Sequence, residues 1–525
     1  MTQTMTRFRS VLTRLRRRVR GSDRRPLVTI PIFPRRHWIA SSLMVVVLLI
    51  GLGYLVLLRP WQTCGRGMTA TGGRFNECVG VTDGAASFPP DFGLDTVLRR
   101  IKAENDAVVG NGTPFVSIGY IVPLPRDVTS GLLSQLRREL EGAYLAQWRA
   151  NHHDGLGDIP LIRLLVVNVG DQGGQQGAVI PEVIQRVTDP AEHLVAVAGL
   201  GLSLDTTEQA IRSLSEAGIP MIASRLTADD LNTTPGQPVR GLFRIPAPNS
   251  AETLVAAHAL ETAATLLVQD INRGDAYTNS LAEQFRKVFA TPPATGKLLE
   301  PERYDSSLPA VDNTFVQMMP SICTEQPAAI YYAGRGANLP GFLAALAGRR
   351  CQQLKIDLVT GDDAVILTAE LRGQLAAGDQ SGIAATLRAN ITLRYTGLPH
   401  PSEWSDQQRF LPAATRIFQQ DCVTCFTRVF PEEQLDDGAA IVGYDAVLVA
   451  IRAIRSGASQ GDTPADPAAL TPGAVLQAMF RINRVDPVSG ASGPIGFDEQ
   501  GKPIDKPIPI LQLNPNGTVN VTGLG

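Results

Sequence analysis

Residues 194–198 form an apolar run of strand length, and 199–203 a glycine-bearing turn. Over 205–216, Ile211 and Leu214 recur at helical spacing until Gly218 and Pro220 stop the pattern, and 221–224 starts a second strand. Strand, helix and strand within about 30 residues is a βαβ unit, whose parallel strands open their carboxyl ends on one edge. The same alternation precedes it. A strand at 115–121 is followed by a helix over 127–150, with Leu132, Leu133, Leu136, Leu140 and Tyr144 along one face. Then come a near-continuous apolar strand at 161–167 and a helix at 178–186. This order predicts a doubly wound parallel sheet.

Residues 243–248, FRIPAP, carry two prolines that exclude regular helix and form a candidate hinge strand. Beyond them the pattern begins again. Helices are expected at 250–263, 278–289 and 339–349, strands at 265–269, 329–332 and 356–359, and an extended piece at 391–395. A strongly apolar helix covers 443–456, and 456–471 has the composition of a surface loop. The reading is α/β, with two doubly wound lobes.

The amino-terminal part differs in kind. Of 48 Lys and Arg, eleven Arg lie in residues 1–37 against one Asp, so the remainder carries about −12. Residues 38–58 contain no Asp, Glu, Lys, Arg or His and span about 31 Å as a helix, against about 30 Å of hydrocarbon core. They read as a single transmembrane helix. The Arg cluster would stay cytoplasmic and the chain after Arg59 extracytoplasmic, with Trp38, Tyr54 and Trp61 at the interfaces. A cleaved secretory signal fits less well, because its charged region would be long and no A-x-A-like site follows. Beside a membrane span the basic tail orients the chain or meets anionic lipid rather than nucleic acid. Residues 59–112 read as a juxtamembrane linker with one helix at 94–109.

Cys64, Cys78, Cys323, Cys351, Cys422 and Cys425 all fall after the apolar stretch, and their even number favours disulfides in an oxidising compartment. Sequence order pairs 64 with 78, 323 with 351 and 422 with 425, one of fifteen connectivities. The last two have the CxxC spacing of redox and metal sites, but no second CxxC or His pair accompanies them, which favours a structural bridge. No G-x-x-x-x-G-K-[ST], H-E-x-x-H or G-x-S-x-G occurs. Gly199 and Gly201 begin a dinucleotide fingerprint, but Leu204 stands where its third glycine belongs. His152, His153 and Asp154, beside Gly155 and Gly157, read as a solvated turn. No cofactor or metal is expected.

Ligand contacts are expected at loops that follow strands: Ser203, Asp205, Thr206, Ser224, Arg225 and Thr227 in the first lobe, and Tyr332, Arg335 and Asp362 in the second. Hydroxyls and N–H groups at a helix start suit a carboxylate.

The segment from AGIPMIAS (217–224) to FRIPAPNSAET (243–253) resembles the type I periplasmic-binding-protein fold, and more narrowly the leucine/isoleucine/valine-type receptors of ABC importers. AAIYYAGRGANLPGFLAAL (328–346), IDLVTGDDA (356–364), GYDAVLVAIRAI (443–454) and SGASGPIGFDEQGKPI (489–504) follow in the same order, so the likeness covers roughly four fifths of the chain. The resemblance implies a first lobe of 113–245 plus about 397–505 and a second of 246–396 plus about 506–525. Three crossings would join them, two of them hinges near 243–248 and 396–400.

It also implies capture of a small solute for an ABC permease. Asp362 aligns with the family's second-lobe carboxylate. Leu200, Leu202 and Leu204 interrupt the family's hydroxyl run, and Arg335 replaces its second-lobe aromatic. With Arg225, this implies a more anionic solute. The alternative is a receptor of the same fold that signals or recruits partners without transport. A hydrolase has no nucleophile and base arrangement to support it.

Overall fold

The computed structural model describes residues 64–71, 77–126, 131–152, 159–234, 237–260, 264–290, 296–419, 422, 424–459 and 469–525, together with Met44. The chain divides into two compact units, Met1–Arg59 and Pro60–Gly525. The expected membrane span at 38–58, the basic tail, His153, Asp154, the start of the helix at 127, the end of the 250–263 helix and much of the 456–471 loop lie outside the described residues. Among the described residues no helix is long and apolar enough to cross a membrane.

The first lobe is built on a seven-stranded sheet. Its strands are β1 (Met68–Ala70), β2 (Cys78–Thr82), β3 (Phe115–Val122), β4 (Leu161–Asn168), β5 (Leu194–Gly199), β6 (Met221–Ala223) and β9 (Leu242–Arg244), ordered β1-β2-β4-β3-β5-β6-β9. Between β6 and β9, β7 (Thr233–Thr234) and β8 (Gln237–Pro238) form a small hairpin. From β4 to β9 all pairings are parallel; β1 and β2 run antiparallel at one edge.

Here the linker expectation for 59–112 is corrected. The strands β1 and β2 extend the first-lobe sheet, and the helix Asp95–Gly110 buries Val97, Leu98 and Ile101 in the lobe's core. Short edge strands carry little periodicity, so their partners were unreadable locally.

The second lobe has β10 (Thr265–Asp270), β11 (Glu302–Tyr304), β12 (Ala329–Ala333), β13 (Ile356–Thr360), β14 (Ile391–Thr396), β17 (Pro509–Leu513) and β18 (Val519–Leu524). Their order is β11-β10-β12-β13-β14-β17-β18. β10 to β14 are parallel, and the carboxyl-terminal hairpin closes the sheet antiparallel. A further hairpin, β15 (Val488–Gly490) and β16 (Gly493–Ile495), belongs to the return segment.

Before that hairpin the helix Ala439–Ala458 comes back to the first lobe and is buried along nearly its whole length. It lies against the helix Gly131–Asn151 at two glycines. A Cβ on Gly142 would stand 1.9 Å from the Ala440 carbonyl oxygen, and one on Gly443 would stand 2.2 Å from that of Glu139. Only hydrogen fits at that crossing.

Cys64–Cys78 joins the entry of β1 to β2, Cys323–Cys351 ties the end of the helix Val311–Glu325 to the turn after Leu339–Ala347, and Cys422–Cys425 closes a local loop. These are the pairs of sequence order. His152 stacks on Trp148 with ring centroids 4.4 Å apart and faces Glu104 at 3.2 Å.

Candidate functional site

In both lobes the first parallel strand sits between the second and the third, so neighbouring crossovers leave on opposite faces at β3/β5 and at β10/β12. Open α/β sheets bind ligands outside the carboxyl ends of such strands. The loops there are 199–204 and 224–228 in the first lobe, and 271–275, 334–338 and 361–363 in the second.

The deepest layer is polar and closed to water. Glu139, from the helix Gly131–Asn151, accepts hydrogen bonds from Ser224 Oγ (2.8 Å), Tyr120 OH (3.0 Å) and Arg225 Nη1 (3.3 Å). Arg225 Nη2 donates to Gln135 Oε1 at 2.6 Å. Burial pushes the Glu139 carboxyl up, and the Arg225 guanidinium with these donors pulls it back.

From the second lobe comes Asp362, pushed up to about 6 by burial first and by Asp363 second, against Arg225, the Tyr277 hydroxyl and Arg335. Behind it the buried Glu252 accepts from Thr396 Oγ1 at 2.7 Å, and burial with the Asp362 charge raises it well above the carboxylate range. Three atoms of this layer have no hydrogen-bond partner among the described residues: Arg225 Nε, Gln135 Nε2 and Asp362 Oδ1. Two are donors on the first lobe and one is an acceptor on the second. Buried polar groups are normally met by protein or ordered water, so these three atoms are open to a solute or a water.

Nearer the surface, Arg335 grips Asp275 through Nε (2.7 Å) and Nη2 (2.8 Å), crosses to the Ser203 carbonyl oxygen (2.8 Å) and lies 4.5 Å over the Tyr277 ring. Burial opposes its charge, but Asp275 and Asp363 outweigh burial and hold the guanidinium protonated above its ordinary range. Other rim contacts also join the lobes. Asp229 accepts from Ser280 Oγ (2.8 Å) and the Ser250 N–H (3.0 Å), the Tyr277 N–H donates to Ser203 O (3.3 Å), and the Asp205 N–H donates to Gly274 O (3.3 Å).

Outside this rim a cleft of about 610 Å³ remains between the lobes. Arg126, Gln172 and Leu204 line it from one side, and Asn272, Ser306 and Asn338 from the other. A larger groove, about 790 Å³, lies away from both sheet edges on helices Val311–Glu325 and Leu339–Ala347, and its walls are mainly apolar.

The expected residues divide accordingly. Ser224, Arg225 and Asp362 belong to the deep layer, and Arg335 and Ser203 meet across the rim. Thr227 is buried, its carbonyl oxygen taking the Asn249 N–H at 2.7 Å. Asp205 is exposed at the start of its helix, its N–H already engaged, and Thr206 donates through Oγ1 to Gln172 O at 2.7 Å on the outer wall. Asp362 therefore neighbours Arg225.

Tyr332 is a correction. Its ring packs in the second-lobe core against Phe342, centroids 5.2 Å apart, and its hydroxyl meets Tyr304 OH at 2.6 Å. Both faces of β12 are buried, so the pattern could not say which face a tyrosine takes. Missed were Gln135, Glu139, Asp229, Glu252, Asp275 and Tyr277. Asp275 follows β10 as Arg335 follows β12, and the rule of loops after strands applies equally to it.

No protein-family model and no curated protein sequence matches the chain. Solved structures do. The leucine-binding protein LivK of Thermotoga maritima is 17% identical over 78% of this chain and 98% of its own, with a TM-score of 0.54. The branched-chain amino acid transporter substrate-binding protein LivJ of Streptococcus pneumoniae, solved with isoleucine, is 17% identical over 78% and 99%, at 0.55. An ABC-transporter solute-binding protein of Rhodopseudomonas palustris, solved with 3,4-dihydroxybenzoic acid, is 14% identical over 78% and 94%, at 0.53. With two 2-1-3-4-5 sheets, three crossings and these neighbours, the unit Pro60–Gly525 has the type I periplasmic-binding-protein fold.

Proposed function

We propose that this chain is an extracytoplasmic solute-binding protein that closes its two lobes on a small polar solute, amino-acid-like or anionic, and delivers it to an ABC permease. The observation that carries the reading is the split of unpartnered buried atoms, Arg225 Nε and Gln135 Nε2 on one lobe and Asp362 Oδ1 on the other. A carboxylate suits the first pair and an ammonium or hydroxyl the second, so one solute bridging both would hold the lobes together. The named neighbours, which are amino-acid and aromatic-acid receptors, support the same class.

A thermal-shift screen of amino acids and small organic acids on the full chain tests this, followed by calorimetry. Each charge-assisted hydrogen bond contributes roughly 1.5–3 kcal/mol, so Asp362→Asn and Arg225→Gln should each weaken binding by about tenfold to a hundredfold. A solute bound equally well by both variants would place the site elsewhere.

In this reading residues 38–58 tether the receptor. Ser10→Cys and Gln460→Cys, probed with a membrane-impermeant thiol reagent on intact cells, should label only at 460. Labelling only at 10 would reverse the orientation.

A further inference from the structure

The helices Val311–Glu325 and Leu339–Ala347 run side by side in the same direction. The Asp312 carboxylate lies against Gly341 near their starts, the rings of Phe315 and Phe342 meet with centroids 5.4 Å apart, and Cys323 near the end of one is bonded to Cys351 just past the end of the other. Inward, Phe315, Met318, Ile322, Phe342, Leu343 and Leu346 belong to the second-lobe core. Outward the two helices differ. The first carries Val316, 60% exposed, and Pro320 one turn on, whereas the second shows Gly341, Ala344 and Gly348, with nothing beyond a Cβ. An apolar ridge therefore stands beside a hollow, and the groove of about 790 Å³ is the space over that hollow.

A ridge beside a hollow on one patch is what a two-fold contact needs, because each copy's ridge then enters the other's hollow. A two-fold axis across the helices lays them antiparallel, which brings the start of the groove in one copy to its end in the other. The charges on the groove suit that arrangement. Asp312 lies at the start and Arg350 beyond the end, both exposed, and neither has an ion-pair partner among the described residues. Arg349, the other charged residue of the lining, is buried and donates to the Leu346 and Ala389 carbonyl oxygens at 2.6 and 3.2 Å.

We propose that a second copy of this chain fills the groove, with Val316 and Pro320 of each copy seated over Gly341, Ala344 and Gly348 of the other, and Asp312 of each facing Arg350 of the other. The contact covers exposed apolar surface, and the charge pair, repeated by symmetry, fixes the antiparallel register.

The test is sedimentation equilibrium of the full chain in density-matched detergent, and the expected result is a reversible dimer. Asp312→Arg and Arg350→Asp, each alone, set two like-charge pairs face to face and should each weaken the dimer at least about tenfold. The two together in one chain exchange the charges, so the dissociation constant should return to within about threefold of wild type. A chain that stays monomeric up to about 100 μM overturns the proposal and leaves the groove to a different occupant. So does a dimer that neither single exchange weakens, which places the contact elsewhere, or one that the double exchange fails to restore. Both side chains are on the surface, so the variants keep the fold that the measurement needs.

Discussion

Asp362→Asn should stabilise the protein in the absence of solute and weaken its binding of solute. The carboxyl is 5% exposed and pushed up to about 6 from its ordinary 3.8, by burial first and Asp363 second. A shift of about two units is about 3 kcal/mol of preference for the neutral form. The folded state binds more protons than the unfolded between about pH 4 and 6. Stability therefore falls as pH rises through that window and stays lower above it. Asparagine cannot ionise, so at pH 8 the variant should exceed wild type by up to about 3 kcal/mol.

With an unfolding entropy of about 2.1 cal/mol/K per residue, that is a rise in Tm of about 3–6 °C, depending on whether the two lobes melt together or singly. At pH 4, where wild-type Asp362 is largely protonated, the difference should shrink below about 1 kcal/mol. Urea unfolding of both proteins at pH 4 and pH 8, without added solute, reads both numbers. A variant less stable than wild type at pH 8, or a difference independent of pH, would refute the reasoning and leave Asp362 a structural residue. A carboxylate kept ionised at such cost belongs to a site that trades stability for binding.

Arg335→Ala leaves Asp275 buried without its bidentate partner, so it should cost about 3–5 kcal/mol in chemical denaturation and increase the small-angle scattering radius as the lobes part. Gly142→Ala drives a Cβ to 1.9 Å from the Ala440 carbonyl oxygen and should cost at least about 1–3 kcal/mol, whereas Gly177→Ala, with nothing within 4 Å, should leave the midpoint unchanged or higher. Non-reducing peptide mapping should find the three bridges of sequence order and no free thiol. The paired change Cys64→Ser with Cys78→Ser should cost about 3 kcal/mol, the closure entropy of its loop.

The βαβ unit at 194–224 was readable because β5 and β6 are buried on both faces and the helix between them on one, which writes a local alternation into the chain. Pairings between distant segments leave no such mark. Nothing in CVGVT (78–82) states that it will pair antiparallel with β4, nearly ninety residues later. The site divides in the same way. Loops after parallel strands led to Ser203, Ser224, Arg225, Arg335 and Asp362, because strand direction alone brings those loops to one edge. Gln135 and Glu139 reach that edge from the helix Gly131–Asn151, which the rule does not cover. They did leave a sign. They stand four residues apart, interleaved in sequence with the buried Leu133, Leu136 and Leu140. Burying an amide and a carboxylate where leucine would fit is unfavourable unless both find partners. A polar pair at that spacing among buried leucines therefore calls for a partner on the facing element, here Arg225 with Ser224 and Tyr120.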